Sequence, residues 1–407
     1  MILDRINKPK YEQPVGASVQ NDFYSGNFQA VLTRLDHKLT PAEHPFVIGA
    51  LCFTGRVFEA EAMFQNSLKS LSKEDQVACR FFLAVAHIRS FEKKSALKYL
   101  LENRRGRTHG GFAPFYVYQG LALYRYYERQ FANAETLAKK ALASANQKKF
   151  SYGRALALDL LGHIGVQLGQ IPKGLQSLHL AFNTATKLGN EGVSSALRSS
   201  LLLYKYQFGF HEFDDLRELQ DEIAQTKAQD NFTSSNLLLE LMRQQTLRGE
   251  WTQAENTSQQ TLYHIYALAP PRQEVIYYLR ISELSFQKGE YHRALSFLAS
   301  ARRALKEHTD PSLQQALLGL ELKTVQRMDF PPAQLKRIQA ELAKVSKKSF
   351  NPYNERILRR GQNASSTIGP GQDVIADLKD ELLEDRKGSA KKTVQKIIAA
   401  GYLSLLI

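Results

Sequence analysis

A forty-residue period runs through the middle of the sequence and constrains the fold more than any other feature. It is marked by Gly169, Gly209, Gly249 and Gly289. The same step leads back to Arg129 and forward to Asp329. A second column at this step consists of Leu121, Leu161, Leu201, Leu241 and Ile281. Self-similarity at a step of this size is typical of stacked repeat architectures.

Each period predicts two helices joined by a tight turn. The stretch after Tyr152 carries an apolar stripe at helical spacing, formed by Ala157, Leu161, Ile164 and Leu168. A glycine then ends the first helix, because glycine enters the left-handed backbone region at little cost. The second helix opens with a bulky residue, namely Phe131, Ile171, Trp251 or Tyr291. Three positions later stands a small residue, namely Ala134, Gly174, Ala254 or Ala294. We expect the bulky side chain, Trp251 included, to pack in the hairpin core.

The copy around Gly209 departs from this pattern, because His211 and Asp214 occupy the bulky and small positions. Looser copies in the N-terminal third surround Phe28, Phe58 and Phe91. Strand signals are absent from the sequence. We therefore predict an all-α solenoid of about eight or nine helical hairpins over residues 16–348. One hairpin cannot bury its own apolar face, so neighbours stack into a continuous core with a long concave surface.

These turns resemble those of the tetratricopeptide-repeat family. The resemblance is carried by the G-x-[FWY]-x-x-A turns and by the small residues Ala122 and Gly162 in first helices. A period near forty is similar to the extended repeats in MalT-type sensor regions of bacterial transcription activators. The resemblance implies a right-handed superhelix whose concave face, lined by first helices, binds proteins, peptides or small ligands.

The ends of the chain are predicted to lie outside the repeats. Residues 1–15 form an N-terminal extension, and residues 349–372 form a linker rich in Gly, Pro and small polar residues. Residues 373–407 are predicted to form a helical hairpin with basic residues Lys391, Lys392 and Lys396. Two such helices cannot form a stable core alone. They would cap the solenoid, form a homodimer, read DNA as a helix-turn-helix, or belong to a truncated domain.

The charge is concentrated in two stretches. The net charge of the chain is +14, and residues 89–154 contribute +10, with fourteen basic and four acidic residues. Residues 331–407 contribute a further +6. The predicted basic patch consists of Arg104, Arg105, Arg107, Lys139, Lys140, Lys148, Lys149 and Arg154. Such a patch would attract an acidic protein, a nucleic acid or an anionic lipid, or would only solubilise the surface.

The sequence argues against an enzyme. It contains no glycine-rich phosphate loop and no H-E-x-x-H motif. Its two cysteines, Cys52 and Cys79, lie in apolar stretches and are expected to be buried in the core. We expect no cofactor, no metal site and no catalytic residue. No secretory signal or membrane-spanning run is evident, so we expect a cytoplasmic location.

The predicted binding residues lie on the concave face of first helices, at positions 156, 160, 163 and 167 and their equivalents. The polar members are His163, Gln167, Gln207, Asn236, Glu240, Arg243, Arg280, Glu283 and Gln287. They would hydrogen-bond a peptide or helix laid along the face, or would only be solvated. The leading hypothesis is a non-catalytic scaffold or regulatory module that binds a protein or peptide. The alternatives are a ligand- or protein-sensing transcription regulator and a nucleic-acid-binding solenoid.

Overall fold

The structure is a computed structural model that describes residues 17–90, 92–105, 110–207, 216–226, 231–268, 271–307 and 310–346. Within these ranges the chain contains eighteen α-helices, a 3-10 helix at Thr33–Asp36 and no strand. The predicted all-α class is confirmed. The helices form nine successive pairs: α1 (Ala17–Tyr24) and α2 (Phe28–Leu32), α3 (His44–Phe53) and α4 (Val57–Ser67), α5 (Lys73–Arg89) and α6 (Lys93–Arg105), α7 (Ala113–Tyr127) and α8 (Phe131–Gln147), α9 (Ser151–Gln167) and α10 (Ile171–Lys187), α11 (Glu191–Gln207) and α12 (Arg217–Gln225), α13 (Asn231–Leu247) and α14 (Trp251–Leu268), α15 (Pro271–Gln287) and α16 (Tyr291–Glu307), and α17 (Pro311–Arg327) and α18 (Pro332–Ser346).

The forty-residue column marks the turn inside each hairpin. Gly169, Gly249 and Gly289 have φ angles of 76°, 76° and 79°. Arg129 and Asp329, at the two ends of the column, also adopt the left-handed region, with φ of 62° and 50°. The turn geometry therefore persists where glycine is replaced. Gly209 lies outside the described residues.

Small residues allow the two helices of a hairpin to approach closely. Ala134, Ala254 and Ala294 are fully buried. In α10, a β-carbon placed on Gly174 would lie 2.7 Å from the carbonyl oxygen of Gly162 and 2.8 Å from the amide nitrogen of Val166. Since these are backbone atoms of α9, the two helices touch along their main chains. The predicted role of the small column is confirmed.

The expected core position of the bulky residue is wrong for Trp251. Its side chain is 43% exposed, and Phe58, one position after the equivalent place in the N-terminal third, is 87% exposed. Both residues lie at the first turn of a second helix, α14 or α4, beside the hairpin turn. The buried alanine three positions later, Ala254 in the case of Trp251, fills the gap between the helices instead.

The helices divide into two compact units. Unit 1 comprises residues 1–160 and 181–194, and unit 2 comprises residues 161–180 and 195–407. The core of unit 1 is aromatic and centres on Phe23 of α1, which is fully buried. Its ring centroid lies 5.2 to 6.1 Å from those of its neighbours Phe28, Phe46, Phe53, Phe82 and Tyr152. Gly49 on α3 makes room for it, because a β-carbon there would lie 2.7 Å from the Phe23 ring.

Distant parts of the sequence meet at the end of α1. The Asn190 side chain donates a 2.7 Å hydrogen bond to the carbonyl oxygen of Tyr24, across 166 residues of sequence. The Tyr24 ring lies 5.6 Å from Phe150 and 5.0 Å from Tyr152, centroid to centroid. Helix α1 therefore closes unit 1 against the starts of α9 and α11.

Unit 2 has a more polar interior. Its apolar clusters form around Leu239 and Met242, around Leu202 and Tyr206, and around Leu298 and Leu317. Several buried hydroxyl and amide groups also lie in this unit and form hydrogen bonds with other side chains or with the backbone. The Thr257 hydroxyl, for example, donates a 2.8 Å hydrogen bond to the Gln245 side chain.

Cys52 and Cys79 are unpaired and buried, as predicted. Burial raises the pKa of both thiols above the usual range, which keeps them in the protonated, unreactive form. Among the described helices, none is long and apolar enough to cross a membrane.

Candidate functional site

The predicted binding positions of unit 2 lie on successive first helices, α9, α11, α13 and α15. We call these positions, with their equivalents on α17, the first-helix face of unit 2. On α9, the Nδ1 atom of His163 is hydrogen-bonded to the Tyr204 hydroxyl of α11 at 2.7 Å. Gln167 is half-buried and Gln207 is exposed at the ends of these helices. His163 therefore ties two helices together rather than pointing only at solvent.

The centre of the face is an ion pair on α13. Glu240 is 3% exposed, and its Oε1 accepts a 2.6 Å hydrogen bond from Nη2 of Arg243 and a 2.8 Å bond from Gln244. Arg243 also donates to the carbonyl oxygen of Tyr206 at 3.3 Å. Glu240 is thus a structural anchor, and the side chain of Arg243, 19% exposed, reaches the surface above it.

The next helix, α15, carries a more open pair. Nη1 of Arg280 lies 3.0 Å from Oε2 of Glu283, and the two side chains are 29% and 28% exposed. Gln287 at the end of the helix is exposed, and Asn236 on α13 is half-buried. The structure therefore places all nine predicted residues on first helices and joins four of them in two ion pairs.

Three further residues on this face were missed by the sequence reasoning. Leu247 is 40% exposed, and Lys323 and Arg327 on α17 are exposed. Each stands a multiple of forty residues from a predicted residue, so the period itself was the signal. Leu247 was passed over because it is apolar, and the other two because the step was not carried as far as α17.

In unit 1, the equivalent face of first helix α7 is covered by α1. Tyr116, forty residues before position 156, is 3% exposed. Its side chain is hydrogen-bonded to Tyr24 of α1. Burial raises the pKa of Tyr24 to about 12, and it also raises the pKa of Tyr116 and of Tyr152. In unit 1 this part of the face belongs to the core.

These tyrosines predict loss of stability at alkaline pH. Below pH 10 the tyrosines are protonated in both the folded and the unfolded chain. Between about pH 10 and 12 the unfolded chain releases protons that the folded chain keeps. The free energy of unfolding should therefore fall by about 1.4 kcal/mol per pH unit for each such tyrosine. Urea unfolding at a series of pH values should show this decline. In the Tyr152→Phe variant, the free energy of unfolding should fall less steeply with pH, by about 1.4 kcal/mol per pH unit, because one titrating group has been removed. Full tyrosine ionisation with all helix retained would contradict it.

Two residues of the predicted basic patch make contacts within unit 1. Lys139 pairs with Glu135 at 2.7 Å, and the Lys140 ammonium lies 5.8 Å from the centroid of the Tyr118 ring. Both side chains are still exposed, and so are the other described members, Arg104, Lys148, Lys149 and Arg154. The side chain of Arg105 and the whole of Arg107 lie outside the described residues.

The comparisons with known proteins come from structure alone. No protein-family model matches the sequence, and no curated protein matches it. The chain is similar to a Rap protein complexed with Competence and Sporulation Factor, with 14% identity, a TM-score of 0.41, and coverage of 94% of this chain and 95% of that one. It is also similar to the APC/C hetero-tetramer Cut9-Hcn1, with 14% identity, a TM-score of 0.26, and coverage of 96% and 94%. Both TM-scores are low, and the fold described above stands on the chain's own helices.

Proposed function

We propose that the chain is a non-catalytic binding module that receives a segment of a protein partner along the first-helix face of unit 2. The observation that carries this proposal is the repetition of exposed side chains, most of them polar, at forty-residue steps on the first helices. Gln207, Leu247, Gln287 and Arg327 are one such series, and all four are exposed. A segment laid across the helices would meet one of them at each hairpin.

The ion pair on α15 is suited to exchange with a partner. A half-exposed pair contributes little to stability, about 0 to 1 kcal/mol. Arg280 can therefore turn from Glu283 to a carboxylate of the partner at small cost, and its guanidinium can bind that group through two hydrogen bonds. Leu247, at the end of α13, offers an exposed apolar side chain on the same face. We infer a partner segment that carries both acidic and apolar side chains.

Two finer expectations are supported by the sequence and remain predictions. A ligand- or protein-sensing transcription regulator of the MalT-like type would need residues 373–407 or a part beyond this chain for DNA binding. Those residues, with the linker and the predicted homodimer contact, lie outside the described residues. A cytoplasmic location likewise remains a prediction.

The test is affinity capture from nuclease-treated native lysate with parent protein and a double variant, Arg280→Ala with Glu283→Ala. We expect at least one protein to be retained by the parent and lost from this variant, because the variant removes the exchangeable pair without changing the net charge. Mass spectrometry identifies what is retained.

The matched control removes the pair formed by Glu290 and Arg293, which has the same residue types and lies at the start of α16 with a 2.9 Å contact. The control should retain the partner. Equal retention by all three proteins, or equal loss from both variants, would reject the first-helix face as the binding surface.

A further inference from the structure

Ion pairs within the described part of the chain leave much of the positive charge of residues 89–154 unbalanced. The stretch contains four acidic residues, and each is paired within unit 1. Glu92 contacts His87 at 2.8 Å and Glu102 contacts Arg80 at 3.0 Å. Glu128 contacts Lys93 at 2.8 Å and Glu135 contacts Lys139 at 2.7 Å. Two of these acids contact His87 and Arg80, which lie outside the stretch, and within the described residues they form no ion pair with a cation of the stretch itself.

Eight exposed cations of the stretch have no ion pair with any residue in the part of the chain that the structure describes. Arg89, at the end of α5, lies over the Phe53 ring. The other seven are Lys94, Lys98, Arg104, Lys140, Lys148, Lys149 and Arg154. We call them the unit 1 basic surface. Unpaired ammonium and guanidinium groups of one sign raise the local potential and attract a polyanion.

The fold brings these residues to neighbouring elements. Helix α7 packs between α6 and α8, since Lys93 of α6 pairs with Glu128 after α7 and Lys140 of α8 lies over Tyr118 of α7. Helices α6 and α8 are the second helices of successive hairpins, so their C-terminal ends lie on the same edge. There the rings of Phe112 and Phe150 stack with centroids 3.9 Å apart. That contact sets Phe112, directly before α7, against the residue that follows Lys148 and Lys149.

The chemistry of this surface favours a phosphate backbone over a folded protein. Hot spots of protein interfaces are enriched in Trp, Tyr and Arg and lie in well-packed pockets. Among the described residues of the stretch, Leu101 is the one large apolar or aromatic side chain that is exposed, at 37%. Contacts to nucleic-acid phosphates need cationic and hydrogen-bonding donors alone, and they carry no sequence information. The surface supplies cationic donors, Arg104 and Arg154 among them, and no exposed aromatic side chain around which a protein partner would pack.

We propose that the unit 1 basic surface binds the phosphate backbone of a nucleic acid without sequence preference. Binding should weaken steeply with salt, because each phosphate contact releases counterions and contributes about −0.9 to the slope of log K against log salt for duplex DNA. The site is separate from the first-helix face of unit 2, and the two proposals can fail independently.

The experiment measures fluorescence anisotropy of a short mixed-sequence DNA duplex, titrated with the full chain at several salt concentrations. The test variant combines Lys148→Glu, Lys149→Glu and Arg154→Glu. We expect its affinity to fall roughly tenfold or more and its salt slope to become shallower by about 3, one unit for each lost phosphate contact. A second mixed sequence should bind equally well.

The matched control combines Lys336→Glu, Arg337→Glu and Lys344→Glu on α18. All three residues are exposed, and the change in net charge is the same. The control also tests the second basic stretch, 331–407. It should bind the duplex nearly as the parent does. Equal loss in both triple variants would overturn the proposal, since net charge alone would then explain binding.

Two further results separate the possible ligands and the two sites. Polyglutamate of matched charge should compete poorly; if it binds as tightly as the duplex through the same three residues, the partner is an acidic polypeptide and the proposal is wrong. The Arg280→Ala, Glu283→Ala variant should bind the duplex like the parent. No binding of the duplex by the parent at low salt would also overturn the proposal.

Discussion

Replacing Phe23 by alanine should destabilise unit 1 by about 3 to 5 kcal/mol, the range seen when a buried aromatic side chain is removed from a core. Phe23 is fully buried and contacts rings from α2, α3, α5 and the start of α9. Its loss would leave a cavity that four separate elements would have to close. Because rigid helices cannot all move inward, most of the cavity should persist.

The control for this prediction is Phe58→Ala, which removes the same side chain from a position that is 87% exposed. Surface substitutions of this kind stay within about 0.5 kcal/mol of the parent. The two variants are compared by urea unfolding, with circular dichroism as the signal. Similar midpoints for Phe23→Ala and Phe58→Ala would show that α1 does not form the centre of unit 1.

Replacing Gly174 by alanine should destabilise unit 2 by about 1 to 3 kcal/mol, the usual cost of overpacking. The added methyl group would lie 2.7 Å from the Gly162 carbonyl oxygen and 2.8 Å from the Val166 amide nitrogen. Side chains can rotate away from such a contact, but backbone atoms of α9 cannot. The helices would have to separate along their crossing, and neighbouring contacts would loosen with them.

Gly319→Ala is the matched control, because Gly319 also lies inside a helix, α17, and a β-carbon there meets nothing within 4 Å. Alanine is favoured over glycine in a helix by about 0.5 to 1 kcal/mol, so this variant should be slightly more stable than the parent. The two substitutions are chemically identical and have opposite expected signs. Unfolding midpoints that shift in the same direction would reject the close helix crossing at Gly174.

The repeat and its turns could be predicted from the sequence because they depend on local chemistry. A left-handed residue follows each of these first helices, and a small residue five positions later lets the two helices touch. The period even located Arg129 and Asp329, whose backbones adopt the glycine conformation without being glycine. Because each hairpin needs the same residue types at the same places, these residues recur every forty positions in the sequence.

The structure departs from the prediction at residues whose positions depend on tertiary contacts. Trp251 follows the aromatic column but lies at the hairpin edge, where its ring is 43% exposed. The bond between Asn190 and Tyr24 spans 166 residues and follows no repeat step, so no column could indicate it. Of the predicted binding residues, Glu240 is buried beneath Arg243, whereas the pair of Arg280 and Glu283 at the same spacing stays partly exposed. The difference depends on how each helix packs on its neighbours.

The charged stretch shows the same limit. Counting charges located the excess in residues 89–154, but it did not show which cations are balanced. Lys139 belongs to the predicted patch and is paired with Glu135, whereas Lys94 and Lys98 were not included and are exposed on α6. Which cations are left over depends on helix faces that composition does not record.

The central claim is that partner segments bind the first-helix face of unit 2, and site-specific photo-crosslinking tests it most directly. A photoreactive phenylalanine analogue is placed at Leu247, which is exposed on that face, or at Tyr263, which is 71% exposed on α14, a second helix. After irradiation in nuclease-treated native lysate, we expect a discrete protein adduct from position 247 and none from position 263. An adduct from position 263 alone, or the same adducts from both positions, would contradict the claim.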